Sequence, residues 1–171
     1  MELSGVPIIA GRSAGGSADT FVVSDPATGR SLQPVFHSTS NADVARAAQA
    51  ARFAFDRFRR TSPQERATLL TGVADRLEDA RGAIVHRALA ETGLSSARLE
   101  GELTRTTRQL RRFAKEVLLG EHRGVRIDHA QPRGSATTDV RLQFVPLGPV
   151  AVYCASNFPL AFSVAGGDTA S

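Results

Sequence analysis

Cysteine is almost absent from this sequence: Cys154 is the only one in 171 residues. A disulfide within the chain is therefore excluded, and no Cys/His cluster has the spacing of a metal site. A reducing, cytoplasmic setting is expected. Tryptophan is missing and aromatics make up 6% of the chain, too few for a base-stacking surface. Lysine is nearly missing as well, Lys115 standing alone, so the net charge of +4 and the isoelectric point near 10.5 rest on arginine. Those arginines alternate with acids, as in Arg76-Leu77-Glu78-Asp79-Ala80-Arg81. That pattern reads as a solvated helix face, and a basic nucleic-acid-binding module is the less favoured alternative. The segment from Met1 to Ser13 has only Val6 to Ala10 as an apolar run and no basic stretch ahead of it, so no signal peptide is expected. One long uncharged run exists, from Leu142 to Gly167, but Pro146, Pro149 and Pro159 interrupt it. Backbone groups freed by such breaks have no partner in lipid, so a buried strand, a turn and a helix are expected there instead of a membrane span.

What is present is a mixture of short strands and longer helices. With 42% hydrophobic residues the chain can build a core. Phe21-Val22-Val23 and Leu32 to Phe36 flank Asp25-Pro26-Ala27-Thr28-Gly29, a hairpin-like start. Gly11 to Gly16 fits no phosphate-binding pattern and reads as a turn. Val44, Ala47, Ala48, Ala51, Phe55 and Phe58 recur at helical spacing after Ser40 and Asn41, either of which suits an N-cap. Ser62-Pro63-Gln64-Glu65 is a capping box with proline at the first helical position. It opens a long helix whose apolar face holds Leu70, Val73, Leu77, Ile84 and Ala88, closed by Glu91-Thr92-Gly93. A third helix follows Ser95-Ser96 through Leu99, Leu103, Thr106, Leu110, Phe113 and Val117 to Gly120. Beyond it the period becomes two. Val125 to Asp128 and Val140 to Val145 alternate around a turn at Gln131-Pro132-Arg133-Gly134, which predicts an antiparallel hairpin. Val150 to Cys154 is apolar on both faces, as in a strand buried inside an α/β sheet, with Cys154 as a small core residue.

That strand ends at Ser156-Asn157-Phe158-Pro159. Ligands of open α/β sheets bind beyond the carboxyl ends of strands, so Asn157 occupies a functional position by geometry. Phe158 is biased toward an extended conformation by the proline after it, and Pro159 suits the first position of a helix. Two readings of Asn157 are open on these grounds. It either caps the following helix, or offers its neutral N–H donors to an oxyanion as one develops.

Tyr153-Cys154-Ala155-Ser156-Asn157-Phe158-Pro159-Leu160, preceded by Leu147-Gly148-Pro149-Val150, resembles the strand and turn of the aldehyde dehydrogenase superfamily. Asp25-Pro26-Ala27-Thr28-Gly29, the helix opening at Ala42-Asp43-Val44, and Glu91-Thr92-Gly93 resemble further family motifs in the same order. Ala155-Ser156 stands where the family commonly has Pro-Trp. With Phe162 to Ser171 and Ala97 to Leu103, this resembles the branch that oxidises 2,5-dioxovalerate (α-ketoglutarate semialdehyde). Long-chain aliphatic aldehyde dehydrogenases that use NADP share several of these features and are the alternative.

The resemblance implies an α/β chain of 171 residues forming the N-terminal part of the aldehyde dehydrogenase fold: an incomplete Rossmann-like cofactor domain with an oligomerisation hairpin over 123–145. It implies Asn157 as the oxyanion donor, Tyr153, Cys154, Ala155 and Ser156 as part of the floor beneath NAD or NADP, no metal, and a homo-oligomer. In the family mechanism a cysteine thiolate attacks the aldehyde, hydride passes to the nicotinamide, and water activated by a glutamate releases the acid. Cys154 does not match that nucleophile, which with the general base is expected beyond Ser171. The chain by itself is accordingly expected to be inactive.

Overall fold

The computed structural model describes residues 3–15, 19–131 and 138–164. Its elements run in the order β1 (Ile8–Ile9), β2 (Arg12–Ser13), β3 (Thr20–Ser24), β4 (Ser31–His37), α1 (Asn41–Phe58), α2 (Pro63–Asp79), α3 (Arg81–Thr92), α4 (Ser96–Leu119), a 3-10 turn (Glu121–Arg123), β5 (Arg126–Asp128) and β6 (Val140–Leu142). The strands form three separate antiparallel pairs: β1 with β2, β3 with β4, and β5 with β6. No described helix is long and apolar enough to cross a membrane.

Local chemistry sets most of these boundaries. Between β3 and β4, the Asp25 carboxylate accepts from the Ala27 N–H at 2.8 Å and the Thr28 hydroxyl at 2.9 Å, fixing the turn. Phe21 and Phe36 then face each other across the pair with ring centroids 5.5 Å apart. Ser40 caps α1 by accepting from the Asp43 N–H at 3.1 Å. At the head of α2 the expected capping box is complete: the Glu65 N–H donates to Ser62 Oγ at 3.2 Å, and the Ser62 N–H donates to Glu65 Oε2 at 2.7 Å. Donation from the Ser62 N–H, the larger cause, and from the Ser62 hydroxyl holds the Glu65 carboxyl below its ordinary range. Gly93 and Gly120 end α3 and α4 in the left-handed conformation, at φ 66° and 75°.

The core lies where α2 and α3 pack on α4. Val85, Ala88, Leu99 and Leu103 form one buried cluster, and Ala74 with Leu110 forms another. Leu77 packs against both. One long helix was expected from Pro63 to Glu91; the structure instead divides it at Ala80, whose φ and ψ of −94° and 3° are not helical. The division places Arg81 at the start of α3, where it bonds Glu78 on α2 and Glu100 on α4 together. Thr107 completes the junction by donating its hydroxyl to Glu78 Oε1 at 2.6 Å. That hydroxyl, followed by Arg81, holds the Glu78 carboxyl below its usual range, while Glu100 and Glu78 raise the Arg81 guanidinium above its own. Elsewhere arginines pair with acids along the helices, as Arg46 with Asp43, Arg52 with Asp56 and Arg87 with Glu91.

Two further expectations need correction. The α1 stripe is not core: Val44 and Phe58 are exposed, and Ala47 and Phe55 are half-buried. Arg52 and Arg59 lie over the Phe55 ring, 5.9 and 5.3 Å from its centroid, so the face is covered in part by the helix's own guanidinium groups. The segment from Val150 to Cys154 carries no strand, and Cys154 is exposed. An apolar parallel strand needs neighbours to take up its backbone groups, and none of the described strands lies beside it. The β5–β6 hairpin does form, with Arg126 opposite Leu142, Ile127 opposite Arg141 and Asp128 opposite Val140. It is shorter than expected on its second strand. Its turn from Pro132 to Gly134, like Gly16 and the motif from Ala165 to Ser171, lies outside the described residues.

Candidate functional site

Asn157 sits in a run of turns from Ser156 to Val164 that lies against α4. A single α-type hydrogen bond, from the Phe162 N–H to the Phe158 carbonyl at 3.1 Å, closes one helical turn after Pro159. The helix expected there is thus present as its first turn within the described residues. Leu160 packs onto the buried cluster of Val85, Ala88, Leu99 and Leu103, and Ala161 is itself buried. Burying Leu160 fixes the depth at which the turn rests.

The acceptor for the leading amides of this turn comes from α4. Glu102 is only 6% exposed, and its Oε2 accepts from the Leu160 N–H at 3.1 Å and the Ala161 N–H at 3.3 Å. With Pro159 as the first helical residue, these are the two amides that an N-cap side chain would ordinarily satisfy. A carboxylate at that end also complements the partial positive charge of a helix start. The capping task is therefore performed by Glu102. Among the described residues the side-chain amide of Asn157 makes no hydrogen bond, and Asn157 is exposed.

Arg98 connects the same glutamate to Asn157. Its Nε donates to Glu102 Oε1 at 3.2 Å, and its Nη2 donates to the main-chain carbonyl of Asn157. The guanidinium also lies over the Phe158 ring, 4.8 Å from the centroid. Phe158 in turn touches Phe162 at a centroid separation of 4.8 Å, and Arg105 covers Phe162 at 5.2 Å. The Thr106 hydroxyl, buried, lies 3.0 Å from both the Glu102 and the Leu160 carbonyls. The peptide of Asn157 is consequently held on its carbonyl side, and the residue is exposed.

Tyr153, Cys154, Ala155 and Ser156 lead into this turn as an irregular segment. Tyr153, Cys154 and Ser156 are exposed, Tyr153 by 93%, and Ala155 is half-buried. The Ala155 carbonyl accepts from the Phe158 N–H at 3.4 Å. Among the described residues the main-chain groups of residues 150–154 enter no hydrogen bond, so they are open to a ligand or to neighbouring strands. The structure thus brings Asn157 and residues 153–156 together on one exposed strip. A concavity of about 1300 Å³ lies elsewhere, lined by Phe58, Leu70, Arg108 and Phe113 among others. It includes neither Asn157 nor its flanking residues, and its size alone does not make it the site.

In the sequence, Thr106 falls on the stripe of α4 and Arg98 and Glu102 fall within the Ala97 to Leu103 resemblance, but none of the three is given a role at the site there. A signal existed for Glu102: it falls on the apolar stripe between Leu99 and Leu103, where a carboxylate is rarely buried without partners. Arg98 precedes it by four residues, at pairing distance on a helix.

Comparison with known proteins gives a consistent result. The model of the aldehyde dehydrogenase family matches residues 13–167. Alpha-ketoglutaric semialdehyde dehydrogenase 2 of Azospirillum brasilense is 48% identical, covering 100% of this chain and 33% of that protein. The alpha-ketoglutaric semialdehyde dehydrogenase of Acinetobacter baylyi is 40% identical over 98% of this chain and 32% of its own length. Among solved structures, the NADP-dependent glyceraldehyde-3-phosphate dehydrogenase of Bacillus halodurans, complexed with NADP, superposes with a TM-score of 0.81 at 24% identity, covering 91% of this chain and 33% of that one. The chain spans about a third of the length of these relatives.

Proposed function

This chain belongs to the aldehyde dehydrogenase family, and from that premise we propose that the protein carrying it oxidises α-ketoglutarate semialdehyde (2,5-dioxovalerate) to 2-oxoglutarate with NAD or NADP. The observation that carries the reading is the Asn157 turn. Asn157 is exposed, its carbonyl is held by Arg98, and the leading amides of the turn that follows are taken by Glu102. A neutral amide that makes no hydrogen bond among the described residues is suited to donate to the oxyanion that forms when a nucleophile adds to an aldehyde carbon. The substrate assignment rests on the two semialdehyde dehydrogenase relatives.

The residues present suit a dinucleotide in one respect. Residues 150–154 have main-chain groups not spent on other described residues, and residues 153–156 lie beside Asn157 on the same exposed strip. Tyr153, Cys154, Ala155 and Ser156 would form part of the floor that holds it. The nicotinamide supplies a hydride acceptor when bound. Asn157 polarises the carbonyl oxygen, and Phe158 and Leu160, seated on Arg98 and the core, keep the donor from swinging. Cys154 is assigned no covalent role. Its single thiol fits a reducing cytoplasm, and the exposed β5–β6 hairpin fits a surface through which subunits pair.

The test is an assay of the full-length enzyme, following NAD(P)H absorbance with α-ketoglutarate semialdehyde, a long-chain aliphatic aldehyde and benzaldehyde in parallel. The expected result is the highest kcat/KM with the semialdehyde. A preference for the long aliphatic chain would move the substrate assignment, and no reduction of either coenzyme with any aldehyde would end the proposal.

A further inference from the structure

Glu102 is unusual for a core carboxylate because one of its oxygens is committed to a neighbouring peptide turn and the other to an arginine that itself reaches that turn. One oxygen accepts the Leu160 and Ala161 amides, the second accepts Arg98 Nε, and Arg98 returns to the Asn157 carbonyl. The route from α4 to Asn157 is thus a closed loop of charge-assisted hydrogen bonds, which are shorter and stronger than neutral ones. Burying a charge is costly unless it is paired and hydrogen-bonded, and this carboxylate, 6% exposed, accepts three hydrogen bonds, one of them from a guanidinium.

We infer that Glu102 and Arg98 are positioning residues for the aldehyde oxidation, setting the orientation of the Asn157 amide through the peptide that carries it. The inference rests on the reading of Asn157 as oxyanion donor and extends it to the groups that aim the donor. The geometry divides the work. Glu102 fixes the turn on the C-terminal side of Asn157 and Arg98 fixes the carbonyl of Asn157 itself, so the residue is held from two directions. Misplacement of a donor by a fraction of an ångström matters mainly when charge develops, so its loss falls on kcat more than on KM.

The experiment is a double-mutant cycle in the full-length enzyme, pairing E102Q and R98M separately with N157A. In Glu102→Gln the amide oxygen can still accept from Leu160 and Ala161, but its NH2 then meets the Arg98 donor and that link is lost. In Arg98→Met the long apolar stem is kept and the bond to the Asn157 carbonyl is removed; Arg98 is half-exposed, so this variant carries the cycle if E102Q does not fold. Each single variant is expected to lower kcat roughly 10-fold with the aldehyde and coenzyme KM values little changed. In the N157A background neither should lower kcat further, because there is no donor left to aim. If E102Q and R98M keep wild-type kcat, or cost the same factor with and without Asn157, the positioning role is overturned while a large effect of N157A leaves the donor reading standing. If N157A itself leaves kcat unchanged, the donor reading fails and the positioning role fails with it.

Discussion

The α2–α3–α4 unit and the segment from Val140 to Tyr153 treat their apolar residues in opposite ways. Leu99, Leu103 and Leu110 on α4 are buried to within 2%, whereas Phe144, Leu147, Val150 and Tyr153 are exposed. The difference does not lie in hydrophobicity. Each helix buries one stripe against a neighbour close in sequence, while a strand apolar on both faces needs sheet partners and covering helices that the described residues do not provide. Helix packing is decided locally, and strand burial is decided by what lies alongside. Where the two regions meet, at the Asn157 turn, a helix supplies the order that a sheet would otherwise impose.

The largest effect that would sharpen this contrast is on stability. Leu103→Ala in this chain should cost about 2–5 kcal/mol in a urea titration, while Leu147→Ala should stay within about 0.5 kcal/mol of the parent. Equal losses at both positions would erase the distinction. A second check uses the cysteine. Cys154 should react fully with Ellman's reagent without denaturant, because the segment around it is exposed. A thiol that waits for unfolding would mean that residues 150–154 are buried after all.

Smaller effects bear on the helical unit alone. Ser62→Ala removes the hydroxyl that accepts from the Glu65 N–H and should cost about 1 kcal/mol, seen as a lower midpoint in thermal melts. The smallest concerns pH. Glu78 has its carboxyl pKa lowered in the folded chain, first by the Thr107 hydroxyl and then by Arg81. A lowered folded-state pKa adds stability that is complete above the ordinary glutamate value of about 4.3 and is lost as pH falls through the folded value. Thr107→Val should therefore be less stable than the parent at pH 6 to 7, with the gap narrowing toward pH 3. The gap at neutral pH should be about 1 kcal/mol or less, since the group is part-exposed. A gap that widens on acidification would reverse the assignment.

Much of the helical unit was legible in the sequence because its signals are local. Ser62 and Glu65 state their own capping box, and Gly93 and Gly120 mark helix ends that only a left-handed residue can make. The hairpins at residues 20–37 and 126–142 follow from alternation and turn residues. The break at Ala80 was not legible: the Arg81–Glu100 bond that accompanies it spans nineteen residues and leaves no local signal. Nor was the exposure of the α1 stripe, since periodicity reports which face is apolar and not whether anything covers it. At the site, Asn157 was recognisable from its turn and its resemblance, but the Glu102 and Arg98 bonds to residues 157–161 span nearly sixty positions. Pairing over such a distance leaves no spacing to read.

The most direct test of the central claim is Asn157→Ala in the full-length enzyme, with steady-state turnover and thermal stability measured on the same preparation. The account predicts a fall in kcat of roughly 10²-fold or more with the melting temperature essentially unchanged, because the amide serves the reacting oxygen and Glu102 serves the turn. Unchanged turnover with lowered stability would show that Asn157 is a structural cap and contradict the account.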